Sequence, residues 1–228
     1  MRVYPKAARH FLEHFPNHYL DFLELKEKER LEAEIDAFEQ MLNTPGTTER
    51  TIQAHIKEKR SWFIVGGILK GYANFGHHAA FIFPEFPLGV THQVDYLLVG
   101  QNSGGFHFVF VELEAPDGAV TRDGGKFGVV CRKGLDQAHE WKVWLESNYP
   151  SLKEIFDKYK NPNGEQLPDE FSRLDSTRLH YCVVAGRRKH FTADTYRLVR
   201  DLNGNQNLIH YDNLVDCARL LIASATTY

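Results

Sequence analysis

The chain has 228 residues, 43% of them hydrophobic and 13% aromatic, enough to fill the core of one large α/β domain with an extension. No run of about 18 apolar residues occurs, which excludes a membrane-spanning helix, and the N-terminal Met1-Arg2-Val3-Tyr4-Pro5-Lys6 has no apolar signal region. A net charge of -3 does not announce a nucleic-acid partner, and three scattered cysteines (Cys131, Cys182, Cys217) fit reduced thiols of a cytoplasmic protein better than a disulfide frame or a zinc site.

Residues 5–43 read as helical, because Leu31, Ile35, Phe38 and Leu42 recur at helical spacing among Glu and Lys. This stretch is acidic and suits a packing or oligomerisation role. Thr44-Pro45-Gly46-Thr47-Thr48 interrupts it, and Thr47 or Thr48 can cap a helix over 49–60. Trp62–Val65 reads as a buried segment turned by Gly66-Gly67. Ala79–Phe83 reads as a strand ended by Pro84 and Pro87. Residues 93–99 and 106–114 are the clearest strands, joined by the turn-rich Gly100–Gly105 into an antiparallel hairpin. Residues 115–134 carry Gly118, Gly124, Gly125, Gly128 and Gly134 with Arg122, Lys126, Arg132 and Lys133, the composition of a basic loop with a short hairpin. Residues 135–148 are expected as a helix, 160–177 as a polar loop and 179–185 as a strand. Residues 192–202 should be helical, 207–210 a short strand and 214–223 a closing helix. The core order is helix, three strands, helix, strand.

Two strands carry the chemistry. Residues two apart on a strand share a face, so Phe106, Phe108, Phe110, Glu112 and Glu114 line one side, an apolar face opening into a polar pocket. The Cα atoms of Glu112 and Glu114 should lie about 6.6 Å apart, close enough for their tips to converge on one ion. On the neighbouring strand, Asp95 shares a face with Leu97 and Val99, with Val94 and Tyr96 pointing the other way. An ionised carboxylate there is costly unless it is paired. A divalent cation held by Asp95 and Glu112 offsets that cost, and oxygen-only ligands suit Mg²⁺ or Mn²⁺. The other reading pairs Glu112 with Arg122 or Arg132 and leaves Asp95 solvated at a strand end. Gln137 adds weight to the metal reading, because it shares a helix face with Trp141 and Trp144, where a buried amide needs partners.

Asp95, then Glu112-Leu113-Glu114, then Gln137-Ala138-His139-Glu140-Trp141 resembles the PD-(D/E)xK nuclease superfamily. The closer resemblance is to the Shedu-type nuclease domain of bacterial anti-phage defence proteins. It is carried by Val111-Glu112-Leu113-Glu114-Ala115-Pro116, the basic glycine-containing loop, the Gln137 helix, Val184-Ala185-Gly186-Arg187-Arg188 and Tyr211-Asp212-Asn213-Leu214. The resemblance covers about 48–220. It implies a restriction-endonuclease-like αβββαβ core with a mixed sheet (α/β, of the α+β mixed type), a helical extension over 1–45 and a nuclease domain over 46–228. It further implies a Mg²⁺-dependent DNA endonuclease, acting as a homo-oligomer. Asp95, Glu112 and Glu114 would be metal ligands, Gln137 the helix glutamine, and Glu49 or Glu58 an added acid from the first core helix. Glu114 stands where the superfamily usually has a lysine and supplies no positive charge. Lys126, reaching back from the loop, or a second ion held by Glu114 would repair the deficit.

Rival readings are a degenerate nuclease fold that only binds nucleic acid and, more distantly, a two-carboxylate glycosidase. Two glutamates on one strand face sit closer than an opposed acid/base pair usually does. Gly186-Arg187-Arg188-Lys189-His190 is either a phosphate-contacting turn or a solvated one. With 12 histidines in the chain, the adjacency of His77 and His78, with His92 nearby in sequence, does not make a metal site.

Overall fold

The computed structural model describes residues 11–73, 75–202, 204–224 and 227–228. Helices α1 (Lys28–Asn43), α2 (Glu49–Lys59) and α3 (Trp62–Ile68) precede strands β1 (Ala79–Leu88), β2 (His92–Asn102) and β3 (Gly105–Leu113). A small hairpin, β4 (Thr121–Arg122) and β5 (Lys126–Phe127), leads into α4 (Val129–Asn148) and α5 (Leu152–Tyr159). Strand β6 (Leu179–Val184), helix α6 (Ala193–Arg200), strand β7 (Gln206–Ile209) and helix α7 (Tyr211–Ser224) complete the chain. The main sheet has the order β1-β2-β3-β6-β7. Its first three strands run antiparallel, and β6 and β7 join in parallel, so the sheet is mixed and the αβββαβ order is present.

The alternation of β3 sorts two cores. Val109, Val111 and Leu113 pack with α1, α2, α3 and α7, while Phe106, Phe108 and Phe110 pack with α4 and α5. Each such fully buried side chain contributes roughly 1.5–3 kcal/mol. Phe15 joins the second core with its ring centroid 5.1 Å from those of both Phe81 and Phe83.

Several elements differ from the sequence expectation. The long helix expected over 5–43 is broken: α1, a 3-10 turn at Glu24–Lys26 and helical Phe11-Leu12 are its helical parts among the described residues, and residues 1–10 lie outside them. Residues 18–20 instead run along β1, with Leu20 N–H donating to Ala80 O and Ile82 N–H to His18 O. Strand β1 continues through Pro84 and Pro87, which an edge strand tolerates because one row of its N–H groups leaves the ladder. Helix α3 runs through Gly66 and Gly67 without turning. A Cβ on Gly67 would lie 3.0 Å from Ala218 N, so the glycine permits close approach to α7. Helix α4 begins at Val129, six residues before the expected start, and α5 is an unexpected helix.

The basic turn after β6 does not face solvent as a unit. Arg187 is buried and donates to Asp212, to Leu42 O (2.6 Å) and to Asn43 Oδ1 (3.0 Å). It therefore satisfies a carbonyl at the C-terminal end of α1, which a helix leaves unpaired. Arg188 N–H also donates to Asp212, and Arg188 pairs with Asp216. Burial works against the charge on Asp212, but Arg187 and the Arg188 N–H hold its pKa down to about 2. A carboxylate depressed in the folded state adds stability that is complete above its unfolded value of 3.8 and is lost as pH falls through about 2. Arg187→Ala should lower the unfolding free energy by about 3–5 kcal/mol, read as a lower urea midpoint at pH 7. It should also flatten the acid limb of the stability profile below about pH 4.

Candidate active site

The site lies where two strands part. Pairing between β2 and β3 ends at Tyr96↔Val111, yet β3 stays paired with β6 through Glu112↔Val183 and Leu113↔Val184. The next pair across the ladder would be Asp95 and Glu112. There the Asp95 carboxylate replaces the missing backbone partner, and its Oδ2 accepts from Leu113 N–H at 2.8 Å. On the other side, β1–β2 pairing passes from Pro84↔Tyr96 to Phe86↔Val94, opposite Glu85 with its left-handed φ of 53°. Val94 consequently joins Leu97 and Val99 in one core, and the strict alternation expected around Asp95 breaks.

Glu112 and Glu114 are both buried, at 4% and 3% exposure. Glu112 Oε2 and Glu114 Oε1 have no hydrogen-bond partner among the described residues. Orphaned carboxylate oxygens in a protein interior are expensive, and the acids crowd one another. Burial first, then the neighbouring Asp95, Glu114 and Glu49, lift Glu112 to about 9. Burial likewise lifts Asp95 to about 7 against the Leu113 hydrogen bond, with Glu49 and Glu114 adding to the rise. Burial also raises Glu114, outweighing the lysine beside it.

That lysine is Lys133. Its Nζ lies 2.9 Å from Glu114 Oε2 and 3.8 Å from Glu49. Partial burial opposes its charge, but the hydrogen bond it donates to Glu114 and the field of Glu114, Glu49 and Glu112 prevail and raise its pKa. Helix α4 approaches closely here because residue 134 is glycine. A Cβ there would stand 2.6 Å from Val183 Cγ1 and 3.0 Å from Glu114 Cγ. From behind, the fully buried Tyr211 donates its hydroxyl to Glu114 O at 2.7 Å.

The structure thus brings Asp95, Glu112 and Glu114 together, with Glu49 from the start of α2 at their edge. Glu58 is exposed at the far end of that helix, about 13.5 Å along its axis from Glu49. Gln137 is half-buried on α4, one turn beyond Lys133, with no hydrogen bond to the acids among the described residues. Lys126 is exposed on β5 and makes no ion pair with Glu112 or Glu114 among the described residues. Sequence reasoning missed Lys133 and Gln53. Gln53 donates to Asp95 Oδ1 at 2.8 Å from one turn beyond Glu49. The available signals were helical spacings, 133 to 137 and 49 to 53, each placing two polar side chains on one face.

Among the described residues, no group of three or more His, Cys, Asp or Glu side chains is arranged to hold a metal ion. Both Asp95 oxygens and one Glu114 oxygen are engaged by Gln53, Leu113 and Lys133 instead. The donor set nevertheless suits a hard cation, since unpartnered carboxylate oxygens face a cluster short of positive charge.

Residues 46–215 match the family described as "Shedu protein SduA, C-terminal". The match over most of the chain makes this a nuclease-like domain of the Shedu kind. The chain belongs to the Shedu family. A solved structure described as restriction endonuclease FokI bound to DNA aligns at 15% identity and a TM-score of 0.42. The match covers 89% of this chain and 31% of that one, so the chain spans about a third of the FokI chain's length. No curated protein matches the chain.

A carboxylate raised in the folded state adds stability that is complete below its unfolded pKa and is lost as pH rises through the folded value. The metal-free protein should therefore weaken between about pH 4.5 and pH 9 through Glu112. With EDTA present, Glu112→Gln should raise the melting temperature at pH 8.5 by roughly 2–4 °C per kcal/mol regained. The difference should vanish near pH 4.5.

Proposed function

We propose that residues 46–228 form a metal-dependent DNA endonuclease that hydrolyses phosphodiester bonds in anti-phage defence. The described part of the segment before it, residues 11–45, is an extension packed onto it, and the protein works in the cytoplasm as a homo-oligomer. The observation that carries this reading is the pair of buried, unpartnered carboxylate oxygens on Glu112 and Glu114, beside Asp95 and a single lysine.

Asp95 and Glu112 would hold Mg²⁺ or Mn²⁺, with Glu114 and Glu49 at its margin. When bound, the ion would supply a nucleophilic water at neutral pH and compensate charge gathering on the phosphate. The protein's own groups do the rest. Leu113 N–H and Gln53 orient the Asp95 carboxylate. Glu114 fixes Lys133, whose raised pKa keeps its Nζ protonated, so the helix supplies the positive charge that the strand position lacks. Gln137, one turn further along α4, would meet a water or a phosphate oxygen beside the acids.

Cleavage of supercoiled plasmid with Mg²⁺, Mn²⁺ or EDTA tests the reading. Wild-type protein should nick or linearise DNA only with metal. Glu112→Gln, with unchanged circular dichroism, should slow cleavage by about a hundredfold or more. Lys133→Ala should fall similarly, and Lys133→Arg should recover only part of the rate, because a planar guanidinium is no substitute for a point charge in this slot. DNA binding without cleavage under any metal would replace the enzyme with a binding module.

A further inference from the structure

The hairpin β4–β5 has a feature that the catalytic site does not use. Arg122 and Lys126 are direct cross-strand partners, so two cations stand on one face with Cβ atoms about 5 Å apart. Like charges directly opposite each other destabilise a hairpin. Both side chains are exposed, and neither forms an ion pair among the described residues. Asp123, between them in sequence, is the hairpin's acid.

The base of this hairpin is fixed and its tip is free. Val120 is buried, Gly128 N–H donates to Val120 O at 2.7 Å, and Thr121 hydrogen-bonds the buried Thr195 on α6. At the tip, Gly124 and Gly125 hold left-handed φ values of 78° and 62°, and a Cβ on either would meet nothing within 4 Å. Gly128 is also the N-cap of α4, whose first turn contains no acid. Lys133 lies five residues into that helix, about 7.5 Å along the axis. The hairpin therefore leads, through Gly128, straight into the helix that delivers Lys133 to Glu114.

Resting on the nuclease reading above, we propose that the β4–β5 hairpin is a clamp for the sugar-phosphate backbone of DNA. Arg122 and Lys126 close on phosphate oxygens near the bond to be cut. A phosphate between the two cations relieves their repulsion. The free tip lets the clamp follow the strand, and the fixed base sets its distance from the acids.

The test is binding of a fluorescein-labelled duplex, read by anisotropy in EDTA across a salt series. It uses the full chain carrying Glu112→Gln so that no cleavage intervenes. Arg122→Gln/Lys126→Gln should weaken binding roughly ten- to hundredfold and lower the slope of log affinity against log salt by about 2. Asp123→Asn should tighten binding. The control Lys142→Gln/Lys158→Gln removes two exposed lysines from α4 and α5. Equal losses in the control, or wild-type affinity and slope in the hairpin variant, would overturn the clamp while leaving plasmid cleavage as the separate test of the enzyme. A chain that binds no DNA at any salt would overturn the clamp as well. Unchanged melting temperatures separate lost contacts from lost folding.

Discussion

Strands β2 and β3 separate after Tyr96 and Val111, and the rest of the site depends on that separation. Had the ladder continued, Asp95 and Glu112 would face each other as a like-charged pair, and Leu113 N–H would be spent on backbone. By ending there, the sheet frees one N–H for a side chain and opens a slot wide enough for acids. The third strand does not fray, because β6 still holds it on the other side. A half-open sheet edge, buried by α2 and α4, gives carboxylates a rigid position and almost no solvent. The cost appears as acids that keep their protons well above the usual range.

The sequence showed the sheet more clearly than the helices, for reasons visible in particular residues. The Phe106–Glu114 alternation and a turn-rich connection leave little freedom, and the antiparallel hairpin forms as expected, with a tighter turn at Ser103-Gly104 because Gly100–Asn102 stay in the strand. Glycine misled twice. Gly134 reads as loop, although it is a helical residue that permits close approach, and that reading leaves Lys133 in the segment before the expected helix. Gly66-Gly67 suggested a turn for the same reason. The carboxylates themselves were legible, since acids on an apolar strand face have few explanations. Their cation was not, because a salt bridge between a strand end and a helix start, 19 positions apart in the chain, has no local pattern.

Two motifs that looked like surface chemistry turn out to hold each other. The Gly186-Arg187-Arg188 turn and the Tyr211-Asp212 start of α7 meet behind the acids. Tyr211 N–H donates to Gly186 O, Asp212 grips both arginines, and Tyr211 reaches forward to the Glu114 carbonyl. Through Arg187 the same assembly takes the Leu42 carbonyl and the Asn43 side chain at the end of α1. The end of β3 is thus braced from the first helix and the last, so a shift of either would be felt at Glu114 rather than absorbed in a loop.

Gly134 has a consequence for how this site can change over time. The missing side chain on α4 and the Glu114 side chain on β3 are mould and cast, and neither position is free to drift alone. A larger residue at 134 evicts the glutamate or pushes the helix off Val183. A longer residue at 114 has only the glycine's space to enter. Substitutions at these two positions should therefore travel together among relatives, with Lys133 as the third member wherever the strand carries an acid in place of a base.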